Sequence, residues 1–214
     1  MKLRMFLCAA ALVSVTAVVT KEVVSQDNNA PLQSPPEQPG KPHAACDTES
    51  LVDIWARHAM PGEHHELLEK MTGSWSTAVK YRMTAESPEV ESEGTCERKW
   101  ILGNRFVLEE FDGGSLGLPF RALAIYGYDA FEGKYTSVWV DTMSTAITTS
   151  VGTCQEQCKS IAFVGRHGDP WTGTMRRSRG ITRLVNDNRQ VLELYESGND
   201  GREFKVLEIV YTRK

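Results

Sequence analysis

Two pairs of side chains in this sequence have the chemistry to contact a ligand or to exchange a proton with one. Trp139 and Asp141 alternate along one strand-like segment, and Glu193 and Tyr195 alternate along another, so each pair shares one face of its strand. A carboxylate that faces an apolar cavity has a raised pKa and can act as a general acid or base. Asp141 ends its segment, however, where an aspartate is more often solvated or part of a turn. The four residues are therefore candidate ligand contacts, and no catalytic residue is assigned.

Other kinds of site find little support. The sequence contains no nucleophile motif, no phosphate-binding loop and no Cys/His cluster with the spacing of a metal site. Glu109 and Glu110 do not form a catalytic pair, because adjacent residues of a strand point to opposite faces. His64 is expected to pack on the buried face of a helix, and His167 to lie exposed in or beside a hairpin loop. Neither a metal nor a cofactor is expected.

Four cysteines remain once Cys8, inside an N-terminal apolar run, is set aside. An even count in an exported chain favours disulfides over free thiols or zinc. Cys154 and Cys158 flank only three residues, and a tight hairpin would set them opposite one another within reach of a disulfide. Cys46 and Cys96 would then form a second bridge. A single disulfide, or free thiols throughout, are the alternatives.

The first 45 residues differ in composition from the rest. Lys2 and Arg4 precede an apolar run, and small residues follow near position 25, which predicts a secretory signal over residues 1–25. Residues 26–45 contain five of the nine prolines and almost nothing to bury, as expected of a disordered linker. Residues 46–214 suit one domain. The protein is therefore expected to be periplasmic or secreted, with an uncleaved N-terminal anchor as the alternative.

The charge balance bears on partners. The formal net charge is −4, which argues against nucleic acid and an anionic membrane surface. The basic cluster of Arg176, Arg177, Arg179 and Arg183 falls on both faces of one segment, so it is interpreted as a solvated strand rather than an anion site. A small molecule remains as the expected partner, and the oligomeric state is left open.

The elements that would position these side chains follow from periodicity. Short helices are expected within residues 48–72, with Leu51, Ile54 and Trp55 as the apolar face of the first. Period-two alternation then runs from residue 74 to 213, broken by Gly, Asn and Asp turns. The predicted strands are 74–83, 92–101, 105–111, 119–128, 134–141, 146–154, 158–165, 174–185, 189–196 and 203–212.

Ten strands with short connections should pair antiparallel with their neighbours in sequence. Closing such a meander removes its exposed edges. The sequence therefore predicts a mainly β protein, a single antiparallel up-and-down barrel of about ten strands preceded by one or two short helices. A barrel of this strand number is wide enough for a small ligand.

Several motifs also carry a family resemblance. They are GEHHELL at 62–68, GSW at 73–75, ILGNRF at 101–106, GYD at 127–129, WVDTMST at 139–145, DPWTG at 169–173 and the closing segment at 206–214. With these motifs the chain resembles the bacterial domain-of-unknown-function family numbered 1579, whose members fold like calycins, the lipocalin and fatty-acid-binding-protein superfamily. The resemblance implies a calycin-like barrel and no particular activity.

The calycin resemblance also implies roles for the two ends of the domain. A Gly-x-Trp tryptophan packs at the closed end of such barrels under a basic side chain, which here would be Trp75 under Arg213. A related barrel family binds haem through a late histidine, and no histidine lies on the last strands of this chain. Trp75 and Arg213 are therefore assigned to barrel closure rather than to ligand binding.

The last strand suggests what the interior would hold. If Arg213 points inward, so do the alternate residues of this strand, Tyr211, Ile209 and Leu207. The residues between them, Val210, Glu208 and Val206, then point outward. This mainly apolar wall with a polar tip suits a small apolar or amphipathic ligand, with Tyr211 as a further contact. One alternative is an enzyme of isomerase or lyase type that uses Asp141 or Glu193 as an acid in the lumen. A filled barrel with a structural or interaction role is the other.

Overall fold

The computed structural model of the protein describes residues 48–115, 117–169, 172–198 and 201–214, with side chains from residue 51 onward. The predicted signal over residues 1–25 and linker over 26–45 lie outside the described residues and stay predictions.

Two helices precede the sheet. Helix α1 spans Thr48–Ala59 and helix α2 spans His65–Glu69. α2 buries Leu67 and Leu68 against the barrel. The predicted apolar face of α1 is not buried, since Trp55 is 67% exposed. Neither helix has the length and apolarity needed to cross a bilayer.

The rest of the described chain is β structure. The ten strands are β1 (Gly73–Tyr81), β2 (Val90–Ile101), β3 (Phe106–Ser115), β4 (Leu118–Asp129), β5 (Lys134–Asp141), β6 (Thr148–Gln155), β7 (Ser160–Asp169), β8 (Thr174–Asn186), β9 (Arg189–Ser197) and β10 (Glu203–Arg213). Each strand pairs antiparallel with the next, and β1 pairs with β10 to close the barrel. The predicted up-and-down barrel is thus confirmed, including its strand number.

Alternation along the strands separates the inside from the outside. On β1, Trp75, Thr77 and Val79 are buried, whereas the residues between them are exposed, as the period-two pattern predicts. The closure register places Trp75 opposite both Arg213 on β10 and Cys96 on β2. The same inward face therefore continues across the closure.

The last strand departs from the predicted alternation at one point. The pairing of β10 with β9 skips a residue between Lys205 and Leu207, and Val206 within this irregularity is buried rather than outward and exposed. A bulge adds a residue to one strand and re-aims the side chains around it. Beyond the bulge the prediction holds, since Ile209 and Tyr211 are buried.

Candidate ligand-binding cavity

One end of the barrel is closed by aromatic stacking and by α2. The Arg213 guanidinium lies 4.2 Å from the centroid of the Trp75 ring, and its Nη1 donates a hydrogen bond of 3.0 Å to the Thr72 carbonyl. The Trp75 indole donates in turn to the Met71 carbonyl at 3.1 Å. The contact implied for the two ends of the domain is therefore present.

The glycine of the Gly-x-Trp motif is required at this end for steric reasons. Gly73 has φ +115°, and a Cβ built on it would lie 2.3 Å from Nη1 of Arg213. Only glycine combines that backbone conformation with so close an approach of a neighbouring side chain. The glycine thus makes room for the arginine that covers Trp75.

A buried ion pair lies inside the closed half. Arg98 donates through Nε to Glu109 Oε2 at 2.8 Å and through Nη1 to Gln190 Oε1 at 2.8 Å, and its guanidinium stacks 4.1 Å from the Tyr211 ring centroid. Gln190 also donates to the Lys70 carbonyl at the end of α2. The network therefore ties four strands, β2, β3, β9 and β10, to the end of the helix and fills the barrel beneath the closed end.

This buried pair was not predicted from the sequence. Glu109 and Glu110 lie on opposite faces as expected, but no role was expected for the inward residue. Glu109 is fully buried, whereas Glu110 pairs with Lys99 on the exposed face. Detecting the pair would have required the β2–β3 register, which sets Arg98 opposite Glu109.

Toward the other end the barrel is not filled. A cavity of about 460 Å³ extends from the middle of the barrel to the end at which Asp141, Ser144, Ala146, His167 and Glu196 lie. Its wall is mainly apolar and consists of Phe120, Tyr126, Trp139, Phe163, Leu192, Leu194, Leu207 and Ile209. Hydroxyl groups interrupt this wall at Ser137, Thr148, Ser150, Ser178 and Thr182.

Small residues on β6 and β8 explain why this half stays open. The Phe163 ring lies against Gly152, where an added Cβ would meet it at 2.7 Å. On its other side, Phe163 pairs with Gly180 of β8. A Cβ added at Gly180 would be 3.7 Å or more from every neighbour. The ring therefore leans toward β6 and leaves free volume over β8.

Trp139 and Asp141 lie at the mouth of this cavity. Trp139 Nε1 donates to Asp141 Oδ2 at 2.7 Å, and the Met143 amide donates to Asp141 Oδ1 at 2.8 Å. Asp141 thus orients a cavity-lining indole and fixes the turn after β5. Both residues line the cavity, and both stay candidate ligand contacts.

His167, which was predicted to lie exposed in or beside a hairpin loop, is a cavity residue. β7 continues to Asp169, so His167 lies within the strand and lines the mouth. Its Nε2 is 3.0 Å from a carboxylate oxygen of Glu196, which also lines the cavity. This hydrogen bond raises the pKa of His167, against the lowering effect of burial. The mouth therefore contains a titratable histidine held by a carboxylate.

A second ion pair lies beside His167. Arg176 Nη2 is 2.7 Å from Asp169 Oδ2, and Arg176 Nη1 is 3.9 Å from Glu196. Thr172 donates to the same Asp169 oxygen at 2.6 Å. Arg176, one of the four arginines interpreted as a solvated cluster, is therefore paired with carboxylates at the mouth.

Two predicted ligand contacts are corrected because they lie on the outer face of β9. The cavity is lined by the alternate residues of that strand, Leu192 and Leu194. Glu193 instead bonds Arg183 and Lys205, and Tyr195 lies under the Arg179 guanidinium at 4.4 Å.

Glu193 also lacks the raised pKa that was expected of a carboxylate in the lumen. Burial alone would raise it, but the hydrogen bonds from Arg183 and Lys205 together hold the pKa below its ordinary value. An outward carboxylate paired with two cations is not a candidate acid for a ligand in the cavity.

Tyr211 is also corrected as a ligand contact. It points inward as predicted, but it is 1% exposed, stacks on Arg98 in the closed half and does not line the cavity. Burial raises the pKa of its hydroxyl well above the ordinary value. Its role is packing within the network under the closed end.

The cysteines form one of the two expected bridges. Cys154 and Cys158 are disulfide-bonded with their Cα atoms 5.0 Å apart. They are not opposite one another, however, because Cys158 lies in the turn with φ +61° and Cys154 pairs with Ile161. The prediction of a second bridge is wrong, since Cys96 is a free and fully buried thiol. Its predicted partner Cys46 lies outside the described residues.

The reason for the free thiol is the position of Cys96 inside the barrel. It packs in the closed-half core with Trp75 and Phe111. Burial raises the pKa of this thiol, and the nearby Glu109 carboxylate adds to the effect. The thiol therefore behaves as an apolar core group.

A second depression lies on the outside of the closed end. It is lined by Pro61, Gly62, His65, Glu66, Glu69, Lys70, Trp100 and Asn104, and the Trp100 indole donates to Glu69. Its volume of about 450 Å³ is similar, but it is wide open to solvent. The largely apolar cavity inside the barrel is therefore the candidate functional site.

Comparison with known families agrees with the motifs and the fold. Residues 60–213 match the family described as Protein of unknown function (DUF1579). The chain belongs to this family. The match covers the whole barrel of this DUF1579 protein, including the Gly-x-Trp motif, His167 and Glu196. No curated protein matches the sequence.

Solved structures with similar folds are distant in sequence. Rv2717c from M. tuberculosis is 13% identical, with a TM-score of 0.53, and the alignment covers 72% of this chain and 99% of that one. The S-type phycobiliprotein lyase CPES from Guillardia theta is 9% identical, with a TM-score of 0.50 and coverage of 75% and 96%. At these identities the similarity shows that the DUF1579 chain shares their fold.

Proposed function

We propose that the protein binds a small amphipathic molecule in the cavity at the open end of its barrel. The observation that carries the proposal is the contrast between the two halves. The closed half is packed with large side chains, while the open half retains about 460 Å³ lined mainly by apolar groups. This volume falls within the range of about 300–1,000 Å³ that is typical of ligand pockets.

The chemistry of the lining supports an amphipathic occupant. Aromatic and leucine side chains in the depth of the cavity favour an apolar body, because their burial against a ligand removes apolar surface from water. Asp141, His167 and Glu196 at the mouth provide hydrogen-bonding groups for a polar end. A barrel of similar fold is named as a phycobiliprotein lyase, which is consistent with ligand binding.

Export is part of the proposal. The charged start and apolar run of residues 1–25 have the composition of a secretory signal. The Cys154–Cys158 disulfide is also typical of an oxidising compartment. Intact mass measurement of protein from its own host tests this, because export with cleavage predicts loss of about the first 25 residues. A full-length mass in the cytosolic fraction would contradict it.

A cavity-filling variant tests the binding function. Gly180→Leu places a side chain in the open half at a position where its Cβ makes only ordinary contacts. We expect binding of the neutral fluorophore Nile red to weaken at least tenfold, with unchanged urea unfolding. Val185→Leu on the same strand, at a position 54% exposed, is the matched control and should bind as the wild type does. Equal binding by all three proteins would contradict a site in the cavity.

A second candidate function is acid–base catalysis on the bound molecule. The observation that favours it is the 3.0 Å contact of His167 with Glu196 at the cavity wall. A histidine held by a carboxylate can transfer a proton to or from a substrate. Solvent-deuterium exchange into a bound molecule, lost in His167→Gln with binding retained, would support catalysis. Exchange at the same rate in the variant would exclude His167 as the group responsible.

A further inference from the structure

At the mouth of the cavity, negatively charged groups outnumber positively charged ones. Among the described residues, the cavity is lined by two carboxylates, Asp141 and Glu196, and by His167. Behind them the Arg176–Asp169 pair balances itself at 2.7 Å. The mouth therefore carries a net charge of about −1 when His167 is protonated and about −2 when it is neutral.

The existing hydrogen bonds and ion pairs cancel this charge only in part. Asp141 accepts from two neutral N–H groups, those of Trp139 and Met143, which stabilise the carboxylate without removing its charge. Glu196 is shared between His167 and the more distant Arg176. A ligand whose own end is negative would thus meet uncompensated like charge in a partly desolvated site.

The apolar wall gives the ligand its orientation. Leu192, Leu194 and Ile209 line the inner part of the cavity and offer no group to pair with a charge. A charged end buried there would lose its hydration without compensation. The charged end of an occupant must therefore lie at the mouth, beside Asp141 and Glu196.

We propose that the polar end of the ligand is cationic, so that the occupant is an amphipathic amine or quaternary ammonium compound rather than a fatty acid. This inference rests on the proposed binding function and specifies its ligand class. The ammonium group lies at the mouth, where Asp141 and Glu196 attract it, and the apolar chain fills the leucine-lined interior. Trp139, which also lines the cavity, adds an aromatic ring that attracts cations.

Protonation of His167 should oppose the binding of a cation. The charged groups around it are Glu196 on β9, Arg176 on β8 and Asp169 on β7, with Asp141 on the β5 side of the cavity. As pH rises through the pKa of His167, which lies above its ordinary value, the mouth loses a positive charge. Amine binding should therefore strengthen across that interval, and carboxylate binding should weaken.

Three probes that share a dodecyl chain and differ in the charge of the polar group test the preference for a cation. Dodecylamine, dodecanol and dodecanoate are titrated, below their aggregation concentrations, against the full chain carrying Nile red. We expect dodecylamine to displace the fluorophore at least tenfold more tightly than dodecanoate, with dodecanol between them. Added salt should narrow the difference, because the interaction is partly screened at the mouth.

Variants that each remove one carboxylate charge test which residues cause the preference for a cationic ligand. Glu196→Gln and Asp141→Asn keep the shape of the side chain and should each reduce the ratio of amine to carboxylate affinity several-fold. Glu193→Gln makes the same charge change on the outer face of the same strand as Glu196 and should leave the ratio as it is. His167→Gln should abolish the pH dependence.

The outcomes separate this inference from the proposed function. If none of the three probes displaces Nile red, the binding function itself fails. If dodecanoate binds as tightly as dodecylamine or more tightly, the cavity binds ligands but the cationic preference is wrong. If Glu193→Gln changes the ratio as much as Glu196→Gln does, the preference comes from the overall charge of the protein and the assignment to the mouth is wrong.

Discussion

Replacing Arg98 with methionine should be among the most damaging single changes in this barrel. The substitution removes the guanidinium that bonds Glu109 and Gln190 at 2.8 Å each and stacks on Tyr211. It leaves the Glu109 carboxylate, which is 0% exposed, without its cation. Removing one member of a buried ion pair costs about 3–5 kcal/mol. We expect a loss of that size in the free energy of unfolding.

The neighbouring residues provide a matched control. Lys99 pairs with Glu110 at 2.9 Å on the same two strands, but these side chains are 58% and 49% exposed. An exposed pair contributes roughly 0–1 kcal/mol, so Lys99→Met should cost no more than that. The two variants differ by one position in sequence and by the face of the sheet that they occupy, which isolates the effect of burial.

Urea unfolding of the full chain, followed by tryptophan fluorescence, measures both losses. Arg98→Met combined with Glu109→Leu should recover most of the stability, because removing both charges leaves neither one buried and unpaired. The reasoning would be refuted by a loss for Arg98→Met no larger than that for Lys99→Met. It would also be refuted if the double variant lost the sum of the two single effects.

The closed end and the cysteines yield three other predictions. Replacing Cys154 and Cys158 with serine opens a very short loop and should cost about 2 kcal/mol in urea unfolding; an unchanged midpoint would count against the disulfide. The Cys96 thiol should react with a disulfide reagent only in denaturant, because it is fully buried; rapid labelling at Cys96 in the native protein, located by peptide mapping, would contradict its place in the core. Arg213→Met removes the cation over Trp75 and the hydrogen bonds to the Thr72 and Asp187 carbonyls, and should lower the unfolding free energy by about 1–3 kcal/mol. A loss below measurement would mean that the stacking does not seal the barrel.

Local pattern was sufficient to predict the architecture. Period-two alternation and the glycine, asparagine and aspartate turns give the strands and, through edge removal, the closed barrel. β5 illustrates this, because its predicted bounds, 134–141, are those of the structure. The Gly-x-Trp motif likewise located the closed end. These features depend on residues that are close in sequence, or on a rule that applies to every sheet edge.

The candidate site was predictable only in part. Trp139 and Asp141 were found because alternation places both on one face of β5, and that face lines the cavity. β9 has mixed residues on both faces, and the alternative phase, with Leu192 and Leu194 inward, was the better apolar signal. The choice of the other phase placed Glu193 and Tyr195 in the lumen by mistake.

The remaining features depend on register between distant segments. His167 meets Glu196 only because β7, β8 and β9 are aligned so that His167 lies opposite Arg176 and Ser178 lies opposite Glu196. The pairing of Arg98 with Glu109 depends likewise on the β2–β3 register. No composition or spacing within one strand reports such a contact. The bulge near Val206 has the same origin.

The cavity as a ligand site is tested most directly by native mass spectrometry of protein purified from its own host. The account predicts that the wild-type chain carries an additional mass, released on denaturation, that belongs to an amphipathic molecule. It also predicts that Gly180→Leu, folded to the same stability, carries none. A wild-type protein without any retained molecule, or a Gly180→Leu variant that retains the same molecule in the same amount, would contradict it.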